Sequence, residues 1–193
     1  MALTQSHSEK RRRAILSAAA SVLEEVGYEA LTMDRVAASA RASKATIYRH
    51  WPSKAALVCD AFLTEVDPAV PVPDTGSARE DLIQVFQTSA EFFSRGRIRT
   101  MLLGVLVAIP TDEELQTAFR DRYLAPRRAV GETAIRRGIE RGELRADTDV
   151  GALFDALYGA LYLRLLARAP LTQSSARTLA GQVLRGIEVQ AGS

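Results

Sequence analysis

The chain has 193 residues, 47% of them hydrophobic, and a formal net charge of +2. This length and apolar content are enough to bury a core and argue against disorder. With one cysteine, Cys59, and two histidines, His7 and His50, an intrachain disulfide is excluded and a zinc site lacks ligands. We therefore expect no metal and a reducing, cytoplasmic environment.

Positive charge is concentrated at the start of the chain. Residues 1–55 carry a net charge of +4 and the remainder a net charge of −2. A basic end on a nearly neutral body is typical of a nucleic-acid-binding end, although a solvated surface is an equally common explanation. The longest apolar stretch, residues 101–109, is far shorter than the ~20 residues that span a bilayer. Neither a membrane helix nor a signal peptide is expected.

Helical periodicity dominates, so the fold is predicted to be all-α, with about nine helices. A first helix is predicted from about Ser8 to about Val26, with Gly27 in a left-handed position at its end. Thr32 and Ser43 are predicted to cap two short helices, residues 33–40 and 44–50. A fourth helix follows from Lys54.

Prolines and capping residues divide the rest of the chain. Residues 67–76 contain three prolines and no periodicity, which predicts a loop or hinge. Further helices are predicted at residues 77–94, 97–109 and 112–141, with Ser77 and Thr111 as caps and a kink at Pro126. Another is predicted from residue 147 or 148 to about 168, and the last one from residue 172 or 174. The acidic run 112–114 is interpreted as complementing a helix dipole rather than binding a metal.

Residues 31–57 carry the motif on which the functional prediction depends: LTMDRVAASARASKATIYRHWPSKAAL. Two helices of about two turns joined by a short turn are what a helix-turn-helix needs to present one helix to the major groove. Val36 and Ala37 of the first are predicted to pack against Ile47 and Trp51 of the second. The opposite side of the second helix is then rich in phosphate and base-edge partners and almost free of acids.

These residues resemble the N-terminal domain of the tetracycline-repressor (TetR) family. The shared features are a Gly-Tyr helix end, a capping Thr and the pattern Ser-Lys-x-Thr-hydrophobic-Tyr-x-His-aromatic-x-x-Lys. In this chain they are Gly27, Tyr28, Thr32, Ser43, Lys44, Thr46, Ile47, Tyr48, His50, Trp51 and Lys54. The resemblance covers about residues 10–60 and implies a three-helix DNA-binding domain followed by a helical effector-binding and dimerisation domain.

One departure from the family pattern concerns the turn. The family usually has Ala-Gly where this chain has Ala40 and Arg41. A positive φ at Arg41 would cost about 1 kcal/mol, and a phosphate contact by its side chain is a second interpretation. We place the DNA-binding domain at residues 1–55 and the effector and dimerisation domain at 56–193, although the fourth helix can belong mechanically to both.

Roles follow for individual side chains of the motif. Lys44 and Thr46 are predicted to read base edges, whereas Tyr48, His50 and Lys54 are predicted to contact phosphates. A turn-stabilising histidine and a solvated lysine remain alternatives for the last two. The complete predicted DNA-binding set is Thr32, Arg41, Ser43, Lys44, Ala45, Thr46, Tyr48, Arg49, His50 and Lys54. Residues 10–13 are interpreted as a solvated helix start, with a DNA-tracking arm left open.

The last two long helices indicate a dimer. Residues 149–168 carry two adjacent apolar stripes, wider than one core face requires, and small residues that allow close helix approach. We predict a two-fold four-helix interface, with a buried monomeric core as the alternative. Its residues are Leu153, Leu157, Leu161, Leu165, Leu179, Val183 and Ile187.

The middle helices supply candidate ligand-binding residues, although core packing is the more common explanation for any one of them. They are Phe86, Phe93, Met101, Val105, Phe119, Tyr123, Tyr158 and Tyr162. The resemblance implies that a ligand there tilts the fourth helix and lowers DNA affinity. Arg127 and Arg128 are interpreted as an anion-binding pair or a solvated basic turn.

The function predicted is a homodimeric repressor that binds a near-palindromic double-stranded DNA operator and is released by a small apolar or amphipathic effector. The sequence has no Ser/His/Asp arrangement, phosphate-binding glycine loop or metal-ligand spacing, so neither catalysis nor a cofactor is expected. The alternative is a helical effector-binding or interaction protein without sequence-specific DNA binding, which the turn at Arg41 favours.

Overall fold

A computed structural model describes the backbone of residues 2–66 and 73–188, and side chains from residue 8 onward. All regular structure in these ranges is helical, which confirms the predicted all-α fold. The α-helices are α1 (Ala2–Ala30), α2 (Met33–Ala40), α3 (Lys44–His50), α4 (Lys54–Glu65), α5 (Ala78–Ser94), α6 (Gly96–Ala108), α7 (Glu113–Phe119), α8 (Ala125–Glu140), α9 (Val150–Leu166) and α10 (Gln173–Leu184). A π-helical turn, Arg120–Leu124, joins α7 to α8, so that counting these two as one helix gives the predicted nine.

The described residues pack into two compact units. One contains residues 2–66 together with 100–123, and the other contains 73–99 together with 124–188. The functional boundary after residue 55 stays a prediction. Most of the predicted proline hinge, residues 67–72, lies outside the described residues.

The first unit is built on α1, which packs against α2 and α4, while α4 also packs against α7. The apolar face predicted for α1 is largely buried, with Ile15 and Ala19 fully enclosed. The start predicted at Ser8 is wrong, because the helix already begins at Ala2 and Ser8 is not its cap. The helix ends at Ala30 rather than before Gly27, where it kinks. The φ of Gly27, 75°, is positive as expected, but its ψ of 174° lies outside the left-handed helical region.

The N-terminus of α7 differs from the prediction by one residue. Thr111 lies in a short 3-10 helix, Ile109–Thr111, and does not cap α7. Asp112 is the cap, and its Oδ1 accepts a hydrogen bond from the Leu115 amide at 2.9 Å. A carboxylate is well suited to this position because it satisfies a free amide and faces the positive end of the helix dipole.

In the second unit, α5 packs against α8, α9 and α10. Its starting cap is formed as predicted, since the Ser77 side chain accepts from the Glu80 amide. The kink predicted near Pro126 is realised as the π-helical turn directly before α8. Although α6 and α9 are strongly apolar, no helix of the described residues is long and apolar enough to cross a bilayer.

The kink at Gly27 generates a stability prediction. Its φ of 75° and ψ of 174° belong to a region that side-chain-bearing residues rarely occupy, at a cost of about 1–3 kcal/mol. An added Cβ would meet nothing within 4 Å, so Gly27→Ala should lower the free energy of unfolding by that backbone cost alone. Chemical denaturation measures the loss.

Gly96→Ala is the matched control, since Gly96 has no positive φ and its surroundings are equally open. Its free energy of unfolding should stay unchanged or rise slightly, because Ala is the better helix former. Equal losses for both variants would show that the kink is not held in the glycine-only conformation.

Candidate nucleic-acid interface

The α2 and α3 helices form a helix-turn-helix whose ends are fixed by local hydrogen bonds. Thr32 caps α2, because its hydroxyl accepts from the Arg35 amide at 3.2 Å. Ser43 caps α3 in the same way, accepting from the Thr46 amide at 3.2 Å. Both caps confirm the sequence-based helix starts, and the three residues between the helices leave little freedom in the turn.

Arg41 takes the left-handed conformation that the family pattern assigns to glycine, with φ 49° and ψ 44°. Its amide donates to the carbonyl of Ala38, and the next amide, of Ala42, donates to Ala37 at 3.0 Å. The α2 C-terminus is therefore closed by a Schellman motif despite the side chain. The Arg41 side chain remains exposed.

The inner face of the motif is buried as predicted. Val36 and Ile47 are fully enclosed, and Trp51, directly after α3, is 2% exposed. These contacts orient α3, since its opposite side is not buried. Tyr48, the residue after Ile47, is 51% exposed. An aromatic side chain held this far into solvent by a rigid helix is available to a partner.

The ten predicted DNA-binding residues all lie on or beside this motif. Eight are exposed, namely Thr32, Arg41, Ser43, Lys44, Ala45, Tyr48, Arg49 and His50, whereas Thr46 and Lys54 are half-buried. The hydroxyls of Ser43 and Thr46 lie 2.8 Å apart and share a hydrogen bond. Contact of these residues with bases or phosphates stays a prediction.

Lys44 forms an ion pair across the motif. Its Nζ lies 2.5 Å from Oδ1 of Asp34 on α2, and both side chains are more than half exposed. Such exposed pairs stabilise a protein by no more than about 1 kcal/mol. Asp34 therefore competes with any nucleic-acid acceptor for Lys44 without contributing much to the fold.

Lys54, at the first position of α4, makes contacts that the sequence did not indicate. Its Nζ donates to the Tyr28 carbonyl at 3.0 Å and lies 4.1 Å from the centre of the Tyr28 ring. The buried Tyr28 hydroxyl donates in turn to Asp112. Burial, followed by this hydrogen bond, raises the pKa of Tyr28. Lys54 thus fastens the start of α4 to the end of α1, and its predicted phosphate contact stays a prediction.

Asp60 on α4 is a second feature that sequence analysis missed. Its side chain is nearly buried and accepts from Trp51 Nε1 at 2.7 Å and from Arg12 Nη2 at 2.9 Å. Arg122, on the π-helical turn, forms a further ion pair with the same carboxylate. The available signal was an acid within the apolar face of the fourth helix, between Cys59 and Ala61.

The candidate ligand-binding residues divide between the two units. Met101, Val105, Phe119 and Tyr123 belong to the first unit, and Phe86, Phe93, Tyr158 and Tyr162 to the second. All are buried except the half-buried Tyr162. In the second unit, Phe86 contacts Tyr158 edge to face at 6.0 Å and Phe93 stacks on Tyr162 at 5.8 Å. These contacts fit both core packing and a ligand site.

The candidate dimer residues also fall into two groups. The four leucines of α9 (Leu153, Leu157, Leu161 and Leu165) are buried within their own unit. Leu179 and Val183 on α10 and Ile187, just after its end, are half-buried. The exposed side of α9 instead presents Ala152, Ala156 and Gly159, with Leu163 and Leu166 beyond them. An open groove of about 330 Å³ is lined by Ala152, Ala156, Val183 and Ile187 together with the buried Leu153.

Two short capped helices joined by a three-residue turn, the second of them exposed on one side, define a helix-turn-helix DNA-binding protein. Comparisons with known proteins agree with this class. Residues 15–60 match the family described as bacterial regulatory proteins, tetR family. Residues 72–183 match the tetracyclin repressor-like C-terminal domain.

Several relatives span nearly the whole chain. It is 36% identical to the HTH-type transcriptional regulator YdeS of Bacillus subtilis, over 93% of this chain and 91% of that protein. It is 33% identical to the DNA-binding transcriptional repressor TetR of Mycobacteroides abscessus, over 93% and 94% of the two chains. The crystal structure of the TetR family regulator SCO0332 superimposes with a TM-score of 0.73 and 35% identity, covering 92% of this chain and 98% of the other. The chain belongs to the TetR family of transcriptional regulators.

The Lys44–Asp34 pair generates a prediction for binding. Asp34→Asn removes both the competitor for Lys44 and a negative charge beside the phosphates, so affinity for duplex DNA should rise about three- to tenfold at low salt. The gain should shrink as salt screens the charges. Fluorescence anisotropy titrations at two salt concentrations measure it.

Glu25→Gln, on an exposed position of α1, changes the net charge equally and serves as the control. It should raise the affinity by less than twofold, because the long-range effect of one exposed charge is largely screened. If the two variants behave alike, Asp34 acts only through net charge and does not restrain Lys44.

Proposed function

We propose that this regulator is a homodimeric repressor that occupies a near-palindromic operator through α3 and releases it when a small apolar or amphipathic effector binds. The observation that carries the proposal is the orientation of α3. Its Ile47 side is buried while Lys44, Tyr48 and Arg49 face solvent. Only a helix held in this way can enter the major groove without unfolding its own domain.

Charge supports the same partner. No acidic side chain occurs in α3, and basic residues lie at its start and end. Just before α3, Arg41 adds an exposed cation and Ser43 adds a capping hydroxyl. Arg41 takes the left-handed turn with both caps intact, so the turn no longer favours the alternative without sequence-specific DNA binding.

Two copies are needed because one short helix contacts too few bases for specific binding. The exposed side of α9 supports a two-fold interface. A Cβ on Gly159 would meet nothing within 4 Å, and Leu163, one turn further, is 66% exposed. Small residues beside a large exposed apolar side chain are suited to helix-on-helix packing with a second copy.

For the effector, the second unit offers the better support. Tyr158 is buried, its hydroxyl bonds Ser89 at 3.0 Å, and its ring stacks on Phe154 at 4.2 Å. The guanidinium of Arg128 lies 5.5 Å from the centre of the Phe154 ring. Aromatic surface with one phenol and a neighbouring cation is suited to an amphipathic molecule.

A gel shift with DNA flanking the regulator's own gene, at physiological salt with competitor DNA, tests the central proposal. Lys44→Ala should weaken binding and relax sequence preference, whereas Tyr48→Phe should weaken binding to all sequences alike. Each change should cost about tenfold, because one lost base or phosphate contact is worth about 1–3 kcal/mol. Arg136→Ala, which removes an exposed cation from the second unit, should leave both affinity and preference unchanged.

Wild-type binding that is sensitive to salt but blind to sequence would contradict the proposal and favour the alternative. Equal loss at every sequence for Lys44→Ala would remove Lys44 from base readout.

The dimer is tested by Gly159→Arg. Since the position is open within its own chain, the fold should persist in circular dichroism while sedimentation shows monomers. Operator affinity should then fall by about 100-fold or more, because two linked half-site contacts become independent. Ala129→Arg on an exposed position of α8 is the control and should remain dimeric. A dimeric Gly159→Arg variant would place the interface elsewhere.

A further inference from the structure

Asp60 brings together polar groups from four parts of the first unit. It lies on α4 and is 7% exposed. It accepts from the Trp51 indole, at the end of α3, and from Arg12 on α1. Arg122 on the π-helical turn also pairs with it. We call these four residues, Arg12, Trp51, Asp60 and Arg122, the Asp60 cluster.

The cluster fixes the end of the recognition helix. Trp51 is the C-cap residue of α3, and its amide donates to the Ile47 carbonyl at 2.9 Å. Its ring is held on one side by the Asp60 carboxylate and on a face by the guanidinium of Arg12, 5.6 Å from the ring centre. A buried hydrogen bond to a charged acceptor is stronger than a neutral one and directional.

The two arginines compensate the charge of the buried carboxylate and hold it in place. A buried carboxylate without a cation is costly, so Asp60 depends on the two arginines. Arg12 and Arg122 are both partly exposed, at 47% and 42% of their side chains. Moving either arginine side chain therefore costs less free energy than moving the buried side chain of Asp60 or Trp51.

Arg122 is the member of the cluster that lies nearest in sequence to the second unit, so a conformational change in α8 would reach it first. It precedes Tyr123, the last residue of the first unit, and the chain then continues into α8 of the second unit. The turn that carries it has π-helical hydrogen bonding. Such turns are rare and occur frequently at functional sites. A change from π-helical to α-helical register in this turn would move Arg122 relative to Asp60.

We propose that Asp60 is a positioning residue for DNA binding, which holds Trp51 and hence α3, and that Arg122 adjusts this hold from the π-helical turn. This role rests on the proposed function of α3. It assigns an effect on DNA affinity to Asp60 and Arg122, which lie outside the helix-turn-helix.

Trp51 permits a direct test because it is the only tryptophan in the chain. Tryptophan fluorescence of the full-length protein, excited at a wavelength at which tyrosine does not absorb, therefore reports on the cluster with no DNA present. Arg122→Gln should shift the emission of the buried indole to longer wavelength and increase its quenching by acrylamide. Arg120→Gln, on the same turn but paired with Asp121 at the surface, is the matched control and should leave both signals unchanged.

The same variants are titrated with duplex DNA from the region flanking the regulator's own gene. Arg122→Gln should bind DNA about tenfold more weakly than Arg120→Gln, a loss of the size expected for an interaction between residues of one ionic network. Asp60→Asn keeps an acceptor for Trp51 but removes the charge. If Arg122 acts through that charge, adding Arg122→Gln to Asp60→Asn should change affinity less than twofold. Independent effects that simply multiply would overturn the role of Asp60.

The outcomes separate this inference from the proposed function. If wild-type protein binds DNA without sequence preference, the proposed function fails, and the fluorescence of Arg122→Gln still decides whether the cluster holds Trp51. If wild type binds specifically but Arg122→Gln matches Arg120→Gln in both measurements, the inference fails and the proposed function stands. If Asp60→Asn does not fold, the comparison between the two arginine variants remains decisive.

Discussion

The contact between the buried sides of α2 and α3 is the interaction on which the candidate interface depends. Val36 and Ile47 exclude water between the helices, and Trp51 closes the contact at its end. Because the buried side of a seven-residue helix fixes its exposed side, this contact determines that Tyr48 and Arg49 face solvent. The helix is too short to be stable alone, so its conformation comes from packing and caps.

The helix-turn-helix could be predicted from the sequence because its determinants are local. Thr32 and Ser43 each bond an amide three residues ahead, and such caps leave a recognisable spacing. The left-handed Arg41 could also be anticipated, since the family resemblance assigns a turn to that position. Local hydrogen bonding decided these features, and tertiary packing did not alter them.

The polar contacts behind the motif could not be predicted, because they join residues distant in sequence. Asp60 and Arg122 belong to different helices, and nothing in either local pattern indicates the other. Lys54 was interpreted through its place at a helix start, whereas its position is set by the carbonyl and ring of Tyr28. Periodicity alone also does not distinguish a core stripe from an interface stripe. It therefore could not indicate that the α9 leucines predicted for a dimer are buried in their own unit.

The most direct test of the central claim is a hydroxyl-radical footprint of the wild-type protein on DNA flanking its own gene. A dimer that presents two α3 helices should protect two symmetry-related backbone patches whose centres are about one helical turn, roughly 10 base pairs, apart or a multiple of it. A single patch, or uniform protection without a dyad, would contradict the claim that paired recognition helices bind a near-palindromic operator.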